Sequence, residues 1–344
     1  MLATCLLVST DSVRADIYLL ADAYADENSS RKDSALTDEE LELPMTEESS
    51  SEPLSSDEPP PENSDQYDEE MPGEAPLGEA PMIEEYMAAQ ATWEWVPTGL
   101  IYHSYMAGPQ EPRMGVASFQ ELEDERTLWD ATLGGRFGLL RYGNCDPTCP
   151  VGYQLDIYGA AIARLDVDNR QDLDSTDYVF GLPLTWGDER LQFKFGYAHI
   201  SSHLGDELAI RNPALLANRV NYVRDSLVFG TSYYPHPIWR AYSELGYAFH
   251  TSGGAEPIEL QFGSELSKPG PTEDRWTPFT AVNARMREEY DFGGDLSLQA
   301  GVLRRGLLGQ TIRFGAHFYN GKSSQFQFFD TSEQQIGIGL WYDM

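Results

Sequence analysis

The sequence predicts an all-β fold, a closed antiparallel transmembrane β-barrel of about twelve strands preceded by a disordered acidic segment, and three observations predict it. From Trp93 onward, aromatic-rich stretches of about ten residues alternate apolar and polar side chains between clusters of turn residues, which is how barrel strands read. No run approaches the roughly 18 to 20 consecutive apolar residues that a membrane helix needs. The acidity is local: the chain has 56 acidic and 23 basic side chains, and residues 21–90 hold 22 of the acidic and 2 of the basic ones. A formal charge of -33 excludes a nucleic-acid binder. Negative mean hydropathy does not exclude a membrane, because alternating strands average out on such a scale.

Residues 1–20 contain a short apolar run, Leu2 to Val8, without a basic stretch before it, and read as a leader or truncated signal peptide that carries Cys5 away. Residues 21–90 are rich in Glu, Asp, Ser and Pro and hold too few apolar side chains to offset the ordering entropy of a fold. They are expected to form a disordered linker in the periplasm. Residues 91–344 form the barrel. Its strands are expected near 98–106, 128–142, 151–165, 176–186, 190–201, 219–233, 239–249, 257–267, 277–288, 295–305, 310–319 and 334–343. In the clearest of them, Tyr153, Leu155, Ile157, Leu165 and Val167 share one face while Gln154, Asp156, Arg164 and Asp166 share the other. Short connections then alternate with longer ones, as periplasmic turns alternate with outer loops.

A soluble barrel or sandwich shows the same alternation with its apolar face turned inward. Two considerations favour the membrane. Twelve strands enclose more space than eight, whose interior side chains just fill it, so a greasy interior would leave voids. The polar face carries Asp130, Arg136, Asp156, Arg164, Arg240, Glu244, Glu259, Arg285, Arg287 and Arg313, which suits a wet or ion-paired lumen. Trp129, Tyr153, Trp186, Trp239, Trp276 and Tyr342 lie near segment ends, where an aromatic girdle sits. The partner of such a surface is outer-membrane lipid.

Cys145 and Cys149 flank a Pro-containing turn on the oxidising side and are expected to close a small disulfide loop. On the strand from Leu191 to Ser201, the apolar parity puts His199, Ser201 and His203 on the lipid face near the outer rim, where polar groups need partners. A His and a Ser at i and i+2 lie about 7 Å apart at Cα, close enough to act as base and nucleophile. The next strand fits the alternation worst and implies a bulge or a functional constraint. If its odd positions face lipid, Asn221 and Asp225 are exposed with Val223 and Leu227, and Asn221 is placed to orient His199, with Asn218 the other candidate. His103 and His317 sit at expected lumen positions, His236 in a turn and His250 at a strand end, each read as structural.

Gly99-Leu-Ile-Tyr-His-Ser-Tyr-Met-Ala-Gly108 with Glu111-Pro-Arg113, and His203-Leu-Gly-Asp-Glu207 with Asn221-Tyr-Val-Arg-Asp-Ser-Leu227, resemble the bacterial domain of unknown function 1207 family, from roughly Trp95 to the C-terminus. That family implies no activity. Gly196-Tyr-Ala-His-Ile-Ser201 with Asn218-Arg219 resembles the active-site hairpin of outer-membrane phospholipase A, a twelve-stranded barrel. This second resemblance implies His199 as general base, Ser201 as nucleophile and Asn218 as orienter. It also implies a Ca²⁺ requirement, for which Asp206 and Glu207 are the candidate ligands. The expected role is thus an outer-membrane barrel of unassigned biochemistry, with a lipid-facing acyl hydrolase as one alternative. A small-solute channel or ligand-binding barrel is the other.

Overall fold

A computed structural model describes residues 91–344. The expected leader, 1–20, and acidic segment, 21–90, lie outside the described residues. Thirteen strands form one sheet: β1 (Thr92–Trp95), β2 (Met114–Glu121), β3 (Arg126–Gly143), β4 (Gly152–Asp166), β5 (Asp172–Gly187), β6 (Leu191–Leu204), β7 (Val223–His236), β8 (Trp239–Ser252), β9 (Ile258–Ser267), β10 (Thr277–Arg287), β11 (Gly294–Arg305), β12 (Thr311–Lys322) and β13 (Ser332–Asp343). Strands β2 to β13 pair in chain order, and β13 pairs back to β2 from Tyr342↔Met114 to Gln335↔Glu121. The barrel is closed, antiparallel and twelve-stranded. Strand β1 extends the wall by pairing Thr92–Trp95 with the far end of β3.

Parity sets the two faces. Leu182, Leu184, Phe195, Leu227, Phe229, Leu245, Ile336, Ile338 and Leu340 are exposed on the outside, and the alternate positions turn charged groups into the lumen. Leaving that much contiguous apolar surface in water would be costly, whereas hydrocarbon accommodates it. Inside, Arg136 meets Asp156 at 2.7 Å, Arg164 meets Asp130 at 2.7 Å and Glu333 at 2.6 Å, and Arg285 meets Asp295 at 3.0 Å. Buried charge is tolerated at these positions because each of these groups has an opposite partner. A bulge between Gly138 and Leu140 shifts the parity of β3, so Arg136 and Arg141 both face inward.

Eleven of the twelve expected strands are present, and the first is not. The segment 98–106 is no strand. After β1 the chain turns into the lumen, crosses it as a plug from Pro97 to Pro112 and joins the wall again at β2. Leu100, Ile101 and Tyr102 are consecutive and all buried, a pattern that suits a segment enclosed on every side and not a strand with two unlike faces. Gly99 makes the entry: its φ is +77°, and a Cβ there would lie 2.1 Å from the Pro147 carbonyl oxygen. The lumen arginines grip the plug by its backbone. Arg141 donates to the carbonyls of Thr98 and Gly99, Arg240 to those of His103 and Ser104, Arg113 to those of Tyr105 and Met106, and Arg313 also to that of Met106. Tyr105 stacks on Tyr242 with ring centroids 3.9 Å apart and donates to Glu244 at 2.8 Å.

The connection after β12 fills the lumen from the opposite end. Ser323 to Gln327 are buried, and the Asp177 carboxylate accepts hydrogen bonds from Ser202 Oγ, from the Phe326 amide at 3.1 Å and from Gln110 Nε2 of the plug at 3.0 Å. The two inserts therefore touch, since Gln110 Nε2 also donates to the Ser324 carbonyl at 2.5 Å. A lumen filled in this way predicts that purified protein gives no conductance steps in a planar bilayer; porin-sized steps would show that the inserts leave in the membrane.

The Cys145–Cys149 expectation is corrected, because both thiols are free. Asp146 closes the turn instead, its Oδ1 accepting from the Thr148 amide and hydroxyl at 2.8 Å each and from the Cys149 amide at 3.3 Å. Burial, with Glu189 beside it, pushes the Cys149 thiol up to about 12, so the thiolate that disulfide exchange requires is scarce.

Candidate functional site

The site is built on the outer face of β6, β7 and β8, at the end of the barrel away from both ends of the described chain. On β6 the odd residues Leu191, Phe193, Phe195, Tyr197, His199 and Ser201 face outward, and the even residues Gln192, Lys194 and Ser202 are buried inside. The register places Asp225 of β7 directly opposite His199, and Val223 opposite Ser201. On the other edge of β7 a bulge between Asp225 and Ser226 leaves Phe249 of β8 without a partner. That extra residue moves His250, an even position in a strand whose odd positions face out, onto the outer face opposite Asp225.

Three groups converge on the Asp225 carboxylate. Tyr197 donates its hydroxyl to Oδ1 at 2.5 Å, His199 Nδ1 lies 2.8 Å from Oδ1, and His250 Nδ1 lies 2.8 Å from Oδ2. An ionised carboxylate only accepts, so Nδ1 of each ring carries the proton. In neutral His199, Nε2 is then an unprotonated base facing away from Asp225. The side chain of Asp225 is 20 % exposed, that of His199 31 % and that of His250 61 %, so the carboxylate sits beneath its two imidazoles. A carboxylate at this surface is tolerated because three donors replace its water.

The expected constellation is assembled in part. His199 and Ser201 share the outer face as the parity implied, and Ser201 Oγ makes no side-chain hydrogen bond among the described residues. Neither asparagine lies opposite His199. Asn221 precedes β7 and is exposed, and Asn218 follows the short helix α2 (Pro213–Ala217), its amide donating to the Ala214 carbonyl at 3.0 Å. The residue opposite His199 is Asp225. His203 also faces outward, packed edge-on against Tyr178 at 5.5 Å. Asp206 and Glu207 begin the short helix α1 (Asp206–Arg211) with exposed side chains. Among the described residues no group of three or more His, Cys, Asp or Glu is arranged to hold a metal, and two carboxylates fall short of the six to eight oxygens Ca²⁺ takes. The other histidines divide: His317 is buried in the lumen with Nε2 3.1 Å from Gln335 Oε1, His103 lies in the plug, and His236 ends β7, just before the turn into β8.

Two residues were given no part in the site by the sequence reading, Asp225 and His250. Asp225 stands out as an acid on an apolar stripe between Val223 and Leu227. His250 could be found only by placing the bulge.

The family model described as "Protein of unknown function (DUF1207)" matches residues 61–344. None of the curated proteins matches the chain. Among solved structures, the outer membrane phospholipase A from Escherichia coli is similar with a TM-score of 0.43 and 10 % identity, over 68 % of this chain and 91 % of that one.

Proposed function

We propose, for a chain that belongs to the DUF1207 family of unknown function, a lipid-facing acyl hydrolase in the outer membrane, with the chain ends on the periplasmic side. The single observation that carries the reading is the pairing of His199 Nδ1 with Asp225 at 2.8 Å on the hydrocarbon-facing surface, two residues from a serine on the same face. Asp225 fixes the ring and stabilises the imidazolium that forms, His199 Nε2 accepts the Ser201 proton, and Ser201 Oγ attacks the acyl carbonyl of a phospholipid ester. The proton then passes from His199 to the departing lysophospholipid alkoxide. Water, activated by the same imidazole, releases the fatty acid from the acyl-serine. Substrate reaches the serine by lateral diffusion in the leaflet, so no cleft is required.

Hydrogen bonds of this kind tighten on substrate binding, which accommodates the absence of a Ser201–His199 bond in the free protein. A long-chain alkyl sulfonyl fluoride offered in mixed micelles should therefore label Ser201 stoichiometrically, as read by peptide mass spectrometry. Labelling spread over other serines, or none at Ser201 with the protein folded, removes the proposal.

A further inference from the structure

At the end of the barrel that carries Met344, the mouth is not sealed by the plug. A cavity of about 490 Å³ opens there, floored by plug residues such as His103 and walled by the turns that join β7 to β8, β9 to β10 and β11 to β12. Its volume lies in the range of small-molecule sites.

The charges around it do not cancel. Among the inward-facing strand arginines, Arg136, Arg141, Arg164, Arg224, Arg240, Arg285, Arg287 and Arg313 each have a carboxylate within 4.0 Å, and Arg305 has none among the described residues. Its guanidinium is held by neutral oxygens alone: Nε donates to the Lys268 carbonyl at 3.2 Å, Nη1 to Thr311 Oγ1 at 3.0 Å and Nη2 to Ser267 Oγ at 3.0 Å. Five N–H groups less three leave two, and the group is oriented without being neutralised. The nearby acids are already engaged. Glu265 takes Arg240 at 3.3 Å and the Met106 amide at 2.6 Å, and Asp343 takes Arg113 at 3.2 Å and Arg313 at 2.9 Å. Three guanidinium groups thus share two carboxylates, and Arg305 is a fourth beside them. Glu189 and Arg190, both exposed in the turn before β6, balance each other.

Pro237, Ile238 and Pro269 line the same cavity and give it apolar surface. A preoriented cation together with apolar surface in a cavity of this size fits one kind of molecule, a single negative charge on a hydrophobic body. We infer that this mouth is a binding site for a small amphiphilic carboxylate, with Arg305 holding the carboxylate and the proline-rich surface taking the apolar body. The site lies at the opposite end from Ser201 and stands independently of the hydrolase reading.

The probe is 3-phenylpropionate, titrated calorimetrically into the full-length protein in lipid nanodiscs with empty nanodiscs as the blank. It should saturate with a dissociation constant on the order of 10 to 1000 µM. Arg305→Gln should weaken it at least ~10-fold and Arg305→Lys, which keeps the charge, no more than ~3-fold. The exposed rim variant Ile238→Asp should weaken it by like-charge repulsion, and the uncharged 3-phenylpropanol should not respond to Arg305→Gln. Heat-modifiable gel mobility verifies that each variant is folded. No saturation by ~5 mM, equal binding by wild type and Arg305→Gln, or inorganic phosphate binding as tightly as 3-phenylpropionate would each overturn the inference.

Discussion

Ser201→Ala is expected to abolish fatty-acid release from phospholipid micelles, lowering kcat by on the order of 10³-fold or more while leaving the folded fraction unchanged. The hydroxyl makes no side-chain hydrogen bond among the described residues, so its loss should leave the fold intact. Asp225→Ala should lower kcat by roughly 10²- to 10⁴-fold, because the imidazole loses the group that fixes its tautomer. The double variant should be no worse than Ser201→Ala, since groups that act as one unit are not additive. His250→Ala is the discriminating control: it removes a second ring from Asp225 without touching His199, and the hydrolase reading expects most activity to survive. Activity retained in Ser201→Ala, measured by titration of released acid, would end the proposal.

Arg164→Ala is expected to be among the most destabilising single changes in the barrel, at about 3–5 kcal/mol. The Arg164 side chain is 2 % exposed and ties three strands and the inward connection together, reaching Asp130 on β3, Glu333 on β13 and Ser324 Oγ at 2.8 Å. Its removal leaves two carboxylates facing one another inside the wall. Ser324→Ala deletes one partner and keeps the charges balanced, so it should cost about 1 kcal/mol. Urea titration read by gel mobility separates the two; equal midpoints for wild type and Arg164→Ala would show that water enters the lumen and solvates the orphaned acids.

The outer stripes were legible because period-two alternation survives any even shift in pairing, and eleven strand positions followed from it. The same property hid the site. The sequence reading offered Asn221 or Asn218 as the partner of His199, and the residue opposite it, Asp225, lies four residues beyond Asn221 along the same face, roughly 13 Å away. An even slip moves no side chain to the wrong face, so the hydrophobic pattern cannot register it. The loop between β6 and β7, with its two short helices, leaves no tight turn to fix the register. His250 was hidden for the opposite reason: one bulged residue reverses its parity, and nothing in Phe249-His250 marks where the bulge falls. The plug was misread as a strand because Gly99 to Ala107 is short and aromatic, although three adjacent buried residues, Leu100 to Tyr102, broke the alternation.

The grip of the lumen on its plug is made chiefly to carbonyl oxygens, which every residue type supplies alike. The arginines thus recognise a path and leave most of the letters along it open. Drift at positions such as His103 and Ser104 is then cheap, whereas drift at Arg113, Arg141 or Arg240 is not, and the plug can change its chemistry over evolutionary time while the stopper stays seated.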